Sequence, residues 1–169
     1  IMDGLPLALE LVRNMLNNDN SMSIADLVDE IKETSEMDAL KYFAEEYSED
    51  LSSNHTKEIA ATFQLSWDRC SENEQQVLKI MSALAPEPVP RRLIRNILAW
   101  SEESKLKDPL HKAIKNLLSK SLIEQDNDKD PRLHRLISAF TRSTHKNSSK
   151  ITQTILNEIK KETRRTWDI

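Results

Sequence analysis

Glycine is almost absent from this sequence: its 169 residues include only Gly4. A loop that cradles phosphate groups needs several glycines, because its backbone adopts positive φ angles and comes close to the ligand. A serine nucleophile on a sharp strand-to-helix turn also needs flanking glycines, which are missing. We therefore expect no complete nucleoside triphosphatase and no ATPase activity from this chain.

Cysteine and metal-binding patterns are equally scarce. Cys70 is the single cysteine, so the sequence offers no disulfide framework and fits a reducing compartment such as the cytoplasm. The four histidines and Cys70 show no metal-ligand spacing. An acidic run that starts at Asp126 begins like a calcium loop, but its sixth position is Pro131 and its twelfth is Ile137, where glycine and glutamate are needed. We predict no metal site and no catalytic residue.

Long hydrophobic runs are also missing, and the charges are unevenly spread. No apolar run approaches the length of a membrane span, so we expect no membrane partner. The net charge is −4, yet residues 1–50 contain 13 acidic and 3 basic residues, whereas residues 51–169 contain 15 acidic and 21 basic residues. A composition step of this size predicts two units.

The patterns that are present are mostly helical. A first helix is predicted over residues 6–17, with Pro6 in its first turn, and its apolar residues cover most of its surface, which predicts deep burial. Ser23 and Asp26 form a capping box for a second helix, and a weaker third helix follows. Residues 48–56 form a predicted polar linker.

Beyond this linker the pattern changes to helices followed by one hairpin. The only convincing β pattern is a short alternating segment with a turn and a returning strand. This order is typical of a winged helix. The predicted elements are helices over 58–69, 72–84, 91–100 and 108–120, strands over 121–125 and 131–133 around a turn at 126–130, a helix from His134, and a last amphipathic helix over 149–166.

These patterns predict a mainly α fold, in which a helical bundle is followed by a winged-helix domain with one short β-hairpin. We predict a helical subdomain over residues 1–52 and a winged-helix domain over residues 55–146. Residues 147–169 form a predicted C-terminal linking helix, which packs on the winged helix or on a later part of a longer protein.

Four segments in this order resemble motifs of the NB-ARC proteins, which are switch ATPases of the STAND class. One opens the first helix, one lies in the helix after the linker, and two flank the hairpin. They read Gly-Leu-Pro-Leu at 4–7, Phe-Gln-Leu-Ser-Trp-Asp at 63–68, Leu-Leu-Ser-Lys-Ser-Leu-Ile-Glu at 117–124 and Leu-His-Arg-Leu-Ile at 133–137. The resemblance covers roughly residues 4–142.

The resemblance implies a nucleotide site. In this family the proline of the first motif packs on adenine, a role that falls here to Pro6 with its neighbour Leu7. The family's histidine hydrogen-bonds the β-phosphate of ADP, which corresponds to His134. A histidine at a strand-to-helix junction offers a ring N–H to an anion. The alternatives are a helix-starting proline and a structural histidine. Arg135 stands where the family has aspartate, which reverses a charge beside the proposed phosphate contact.

The resemblance further implies that this chain is the C-terminal part of an NB-ARC switch. The longer parent would be a slow ATPase that binds ADP and ATP, whereas this chain alone is expected to hold neither tightly. Its implied partners are an upstream nucleotide-binding domain, downstream sensor repeats and further copies of the parent in the cytoplasm.

A winged-helix DNA-binding module is the alternative. Basic residues crowd the two helices before the hairpin, as phosphate contacts require. The net charge of −4 and the acidic first fifty residues argue against it. We therefore do not expect a nucleic-acid partner. The basic residues concerned are Arg91, Arg92, Arg95, Lys105, Lys107, His111, Lys112, Lys115 and Lys120.

Overall fold

A computed structural model describes residues 4–46, 56–84, 87–101, 107–125, 130–145 and 149–167. Within these ranges the chain is mainly helical with one two-stranded antiparallel hairpin, which confirms the predicted fold class. The elements are α1 (Gly4–Asn18), α2 (Ile24–Ser35), α3 (Asp38–Glu46), α4 (Thr56–Asp68), α5 (Glu72–Leu84), α6 (Arg91–Leu98), α7 (Pro109–Ser119), β1 (Ile123–Glu124), β2 (Arg132–Leu133), α8 (Arg135–Thr144) and α9 (Ser149–Trp167).

Local side-chain caps stand at the start of several of these helices, among them α2 and α7. At α2, the Ser23 hydroxyl accepts from the Asp26 amide at 3.1 Å, and the Asp26 carboxylate accepts from the Ser23 amide at 3.0 Å. At α7, the Asp108 carboxylate accepts from the Leu110 amide at 3.0 Å, and Pro109 occupies the first turn. Each cap satisfies an amide that the helix itself leaves without a partner. The predicted capping box of Ser23 and Asp26 is thereby confirmed.

The hairpin joins α7 to α8. Ile123 lies opposite Leu133, and Glu124 lies opposite Arg132. The first pair is buried and the second is exposed, so the strands alternate as a half-covered hairpin should. Most of the predicted turn, at residues 126–129, lies outside the described residues.

Helix α4 occupies the centre of the fold. Every residue from Ile59 to Trp67 is buried, because α1, α2 and α3 pack on this helix and α8 approaches it as well. Two of its buried hydroxyls are satisfied within the helix: the Thr62 hydroxyl donates to the Glu58 carbonyl and the Ser66 hydroxyl to the Thr62 carbonyl, both at 2.8 Å. Local bonding of this kind makes their burial tolerable.

Three phenylalanines tie α4 to helices on either side of it in the chain. Phe43 comes from α3, Phe63 from α4 and Phe140 from α8. Their ring centroids lie 5.4–6.4 Å apart in edge-to-face arrangements. Such geometry is the favoured one for aromatic rings, and each of these side chains is fully buried. Helices α3 and α8 therefore share one apolar core with α4.

The remaining elements pack around α5. Helix α5 contacts α6, α7, α8 and β2, while α7 contacts β1. Helix α9 packs on α6, within the predicted winged-helix region, which is one of the two positions expected for it. The predicted domain boundaries stay a prediction.

Two helices of the first segment leave large apolar side chains exposed. On α1, Leu11 and Met15 face the core, but Leu9 is 60% exposed, so the expectation of deep burial all around this helix is wrong. On α2, Leu27 is buried, whereas Ile24 is 70% exposed. Both helices contact α4 through one face only, and the apolar residues on their other faces remain at the surface.

Candidate functional site

His134 lies at the junction between β2 and α8 and caps the start of α8. Its Nδ1 atom accepts a hydrogen bond from the Leu136 amide at 3.2 Å. An accepting Nδ1 places the proton of the neutral ring on Nε2. The side chain is half-buried. The cap therefore fixes both the orientation of the imidazole and the nitrogen that can donate.

The two residues predicted from the Gly-Leu-Pro-Leu motif face different surroundings. Pro6 lies in the first turn of α1 and is exposed, whereas Leu7 is 8% exposed and belongs to the apolar core. Pro6 can thus offer its ring to a flat ligand surface. Leu7 can reach a ligand chiefly through its backbone, because its side chain is already packed.

Two cavities open elsewhere on the described part of the chain, and neither is lined by Pro6, Leu7 or His134. One, of about 290 Å³, lies where α1, the end of α4 and the end of α7 meet. The other is a polar groove of about 270 Å³ between the start of α5 and α7. Neither cavity therefore provides a preformed pocket that joins the three residues predicted to bind nucleotide.

The first cavity is lined by two cations, Arg69 and Lys120, that the sequence did not predict to lie together. Arg69 follows α4 and Lys120 follows α7, 51 positions further along the chain. The Lys120 ammonium donates to the Arg69 carbonyl at 2.8 Å, so the two residues adjoin. No local motif links positions this far apart, and only the fold brings them together.

Each of these cations also contacts a carboxylate. Arg69 donates to Glu30 at 2.7 Å, and Lys120 donates to Glu74 at 2.5 Å. Glu74 is only 2% exposed and also accepts from Asn116 at 2.9 Å. Burial works to raise the pKa of Glu74, but the hydrogen bonds from Lys120 and Asn116 outweigh it and hold this pKa below its ordinary value.

Burial keeps two other groups, Cys70 and His145, in their neutral forms at pH 7. Burial raises the pKa of Cys70 to about 12, so its thiol stays protonated and is a poor nucleophile. Burial, aided by the charge of Lys79, lowers the pKa of His145 to about 4. The neutral His145 ring stacks on Trp67 with centroids 4.0 Å apart, and its Nε2 lies 3.2 Å from Gln64 Oε1.

The basic residues of α6 and α7 are largely engaged within the protein. Arg95 pairs with the buried Asp108 at 2.5 Å, and Arg92 pairs with Glu162 on α9. Lys112 and Lys115 remain exposed on α7. Lys105 lies outside the described residues. The basic face is therefore smaller in the fold than the sequence suggested.

Metal and membrane sites do not emerge from the described residues. Within the described ranges, no group of three or more histidine, cysteine, aspartate or glutamate side chains is arranged to hold a metal ion. Among the helices of these ranges, none combines the length and the apolar character needed to cross a membrane.

Comparison with known proteins adds one match. A family profile described as Domain of unknown function (DUF7779) matches residues 65–150, which is just over half of the chain. The matched segment runs from within α4 to the start of α9. No curated protein and no solved structure matches the chain.

Proposed function

The chain belongs to the DUF7779 family, a domain of unknown function, and from that premise we propose that it is the regulatory part of an ATP/ADP-dependent signalling switch. In this proposal it closes the nucleotide pocket of an upstream domain in the same cytoplasmic protein and couples that pocket to downstream sensor repeats. Hydrolysis belongs to the upstream domain, because the single glycine of this chain provides no phosphate loop.

The observation that carries the proposal is the cap geometry of His134. The Leu136 amide orients the ring, and in this proposal the terminal phosphate of ADP accepts a hydrogen bond from its Nε2–H. The N-terminus of α8 adds the positive end of a helix dipole. A fixed donor beside a helix N-terminus is well suited to bind an anion. The winged-helix resemblance of the surrounding segments supports the same role.

Two neighbouring residues fit this site in different ways. Arg135 is exposed as the first residue of α8, so it adds positive charge where the related family has aspartate. Pro6 is exposed at the start of α1, where its ring would pack on the adenine base. In this proposal His134 contributes most of the contact free energy, because it makes a polar contact with a charged group.

Coupling to the rest of the switch would pass through the aromatic cluster of Phe43, Phe63 and Phe140. Phe140 lies on α8, whose first turn follows His134, and the other two rings lie on α3 and α4. A shift of α8 on nucleotide release would therefore press on the helices around α4. Close-packed interiors transmit such shifts because they contain little free volume.

The test is the dissociation of fluorescently labelled ADP from the purified parent protein, followed by stopped flow. His134→Ala is expected to lose about 1–3 kcal/mol of ADP binding, and thus to release ADP roughly ten to one hundred times faster. Pro6→Ala is expected to have a smaller effect, because it removes packing rather than a polar contact.

His111→Ala is the matched control, since His111 is another half-buried histidine and lies on α7. Its ADP off-rate should equal that of the wild type. An unchanged off-rate in folded His134→Ala would show that His134 is structural and would contradict the proposal. A parent protein without a phosphate-binding lysine upstream of this chain would contradict it as well.

DNA binding is the second candidate, and the exposed Lys112 and Lys115 on α7 are the observation that favours it. Arg92, Arg95 and Lys120, by contrast, already pair with carboxylates. Titration of random duplex with this chain at several salt concentrations separates the two functions. Under the switch proposal, binding at physiological salt should be no tighter than about 10⁻⁴ M. Tighter binding with a steep salt dependence would favour the DNA-binding function.

A further inference from the structure

We propose that the cavity where α1, α4 and α7 meet binds a small organic anion, namely a carboxylate with a short apolar tail. This site is separate from His134 and Pro6, and the proposal does not depend on the nucleotide switch. Its volume of about 290 Å³ is close to the lower end of the range for small-molecule pockets, roughly 300–1,000 Å³. A ligand of modest size would therefore fill it.

The apolar part of the cavity is provided by α1. Leu11 and Met15 line it, and both side chains belong to the buried core, with exposed fractions of 1% and 6%. They lie one helical turn apart and so present a continuous surface. Methionine adapts its shape to irregular neighbours. This apolar wall suits an aliphatic chain, whereas an inorganic ion would make few favourable contacts with it.

The polar part of the cavity is provided by Arg69 and Lys120. Arg69 donates to the Leu65 carbonyl, to Glu30 and, at 3.8 Å, to the Met22 sulfur. These bonds within the described residues use three of the five guanidinium N–H groups. The two bonds of Lys120, to the Arg69 carbonyl and Glu74, use two of three ammonium hydrogens. Donors therefore remain on both cations.

The charged donors of the lining favour a ligand with an anionic acceptor group. The two cations are among the lining residues, but their carboxylate partners Glu30 and Glu74 are not. Asp19 is the acidic residue of the lining, and its Oδ1 already accepts from the Ser21 amide and hydroxyl. Glu30 and Glu74 each contact one of the cations from outside the lining, so a ligand carboxylate would be held by the remaining N–H donors of Arg69 and Lys120 and not by a net positive charge. A carboxylate could accept from both cations while its tail lies on the wall formed by Leu11 and Met15.

Two neutral side chains of the lining offer acceptors to a polar substituent on such a ligand. The buried Ser66 hydroxyl uses its proton on the Thr62 carbonyl, which leaves its lone pairs for another donor. Asn14 donates through Nδ2 to the Ser121 hydroxyl at 2.8 Å, and its Oδ1 remains an acceptor. A ligand hydroxyl or amide group could bond to either of them.

The test is a titration of the isotopically labelled chain with hexanoate, followed by amide chemical shifts in NMR spectra. Hexanamide, hexylammonium and inorganic phosphate serve as comparison probes with the same tail or only the anionic charge. Hexanoate should cause saturable shifts at residues of the cavity, among them Asn14, Asn18, Ser66 and Arg69. The other three probes should bind at least about tenfold more weakly.

Two variants sharpen this test. Arg69→Gln removes one cation from the cavity and should weaken hexanoate binding about tenfold, as expected for the loss of a hydrogen bond to a charged group. Arg92→Gln removes an arginine that also pairs with a glutamate but lies on α6, away from the cavity, and should leave the affinity unchanged.

Three outcomes would overturn the proposal. The first is the absence of saturable shifts at these residues up to tens of millimolar hexanoate. The second is equal binding of hexanamide or hexylammonium, which would show that charge does not matter. The third is unchanged affinity in Arg69→Gln when its spectrum keeps the wild-type dispersion. Lys120→Gln then provides an independent check of the second cation, with folding monitored by the same spectra.

Discussion

Helices α4 and α9 differ in how much of their surface the rest of the chain covers. Every residue from Ile59 to Trp67 on α4 is buried, including three polar ones. On α9, Ile155 is the buried residue among the described side chains, and Leu156 is 46% exposed. Both helices carry apolar residues, but α4 is enclosed by several neighbours and α9 contacts α6 along one face.

The difference shows what each helix can contribute to the protein. A helix enclosed on all sides links its neighbours, so a change at one of them is felt by the others. A helix attached along one face can detach at a smaller cost in free energy. We therefore expect substitutions on α4 and in its surroundings to affect the whole fold, and those on α9 to act locally.

The largest effect is expected for Phe63→Ala. This change removes the α4 ring from contact with Phe43 and Phe140 and leaves a cavity in the core, which should lower the free energy of unfolding by about 3–5 kcal/mol. Leu156→Ala on α9 is the control and should change it by no more than about 0.5 kcal/mol. Urea denaturation followed by circular dichroism measures both. Similar losses in the two variants would refute the comparison.

A smaller effect is expected for Glu74→Gln. Glu74 is buried and binds Lys120 and Asn116, so the neutral variant should lower the free energy of unfolding by about 2–3 kcal/mol. Glu162→Gln on α9 makes the same chemical change at an ion pair whose Arg92 partner is exposed, and it should cost less than about 1 kcal/mol. Equal costs at the two sites, measured by the same urea titration, would show that burial does not separate these pairs.

The smallest effect concerns pH and His145, which packs on α4 through Trp67. Its pKa of about 4 in the folded protein lies below the ordinary 6.5, so the unfolded chain binds the proton more readily. The stability that this provides is fully present above pH 6.5 and is lost as the pH falls toward 4. For a half-buried ring we expect a loss of about 1–2 kcal/mol between pH 7 and pH 4.5.

His145→Gln removes the titrating group and keeps a polar side chain opposite Gln64. Its stability should therefore fall less than that of the wild type over the same pH range, while losses from the carboxylates cancel in the comparison. Urea midpoints at pH 7, 5.5 and 4.5 provide the measurement. Parallel curves for the two proteins would mean that folding does not lower the pKa of His145.

The comparison also shows which features the sequence can predict. The capping box of Ser23 and Asp26 depends on residues within one helical turn, so the local pattern was enough to identify it. The hairpin was predictable because apolar and polar residues alternate along its strands, and this alternation matches their burial. The complete burial of α4 was not, because Thr62, Gln64 and Ser66 are polar and the sequence does not show how many helices pack around this one.

The same reasoning applies to the sites. His134 could be singled out because the strand and helix that flank it are visible in the sequence, and the structure adds the orientation of its ring. The cavity beside Arg69 and Lys120 could not be predicted, since it depends on three helices that are distant in the chain. The error at Leu9 had the opposite sign: the apolar surface of α1 predicted burial, but the sequence does not show that neighbours cover only one face of this helix.

Native-state hydrogen exchange of α4, α8 and α9 tests most directly whether α4 joins its neighbours into one cooperative unit, on which the proposed coupling depends. The account predicts that amides of α4 and α8 exchange only through global unfolding and share its free energy, whereas amides of α9 open at a lower free energy. Exchange of α4 through a separate opening that leaves α8 protected would contradict it.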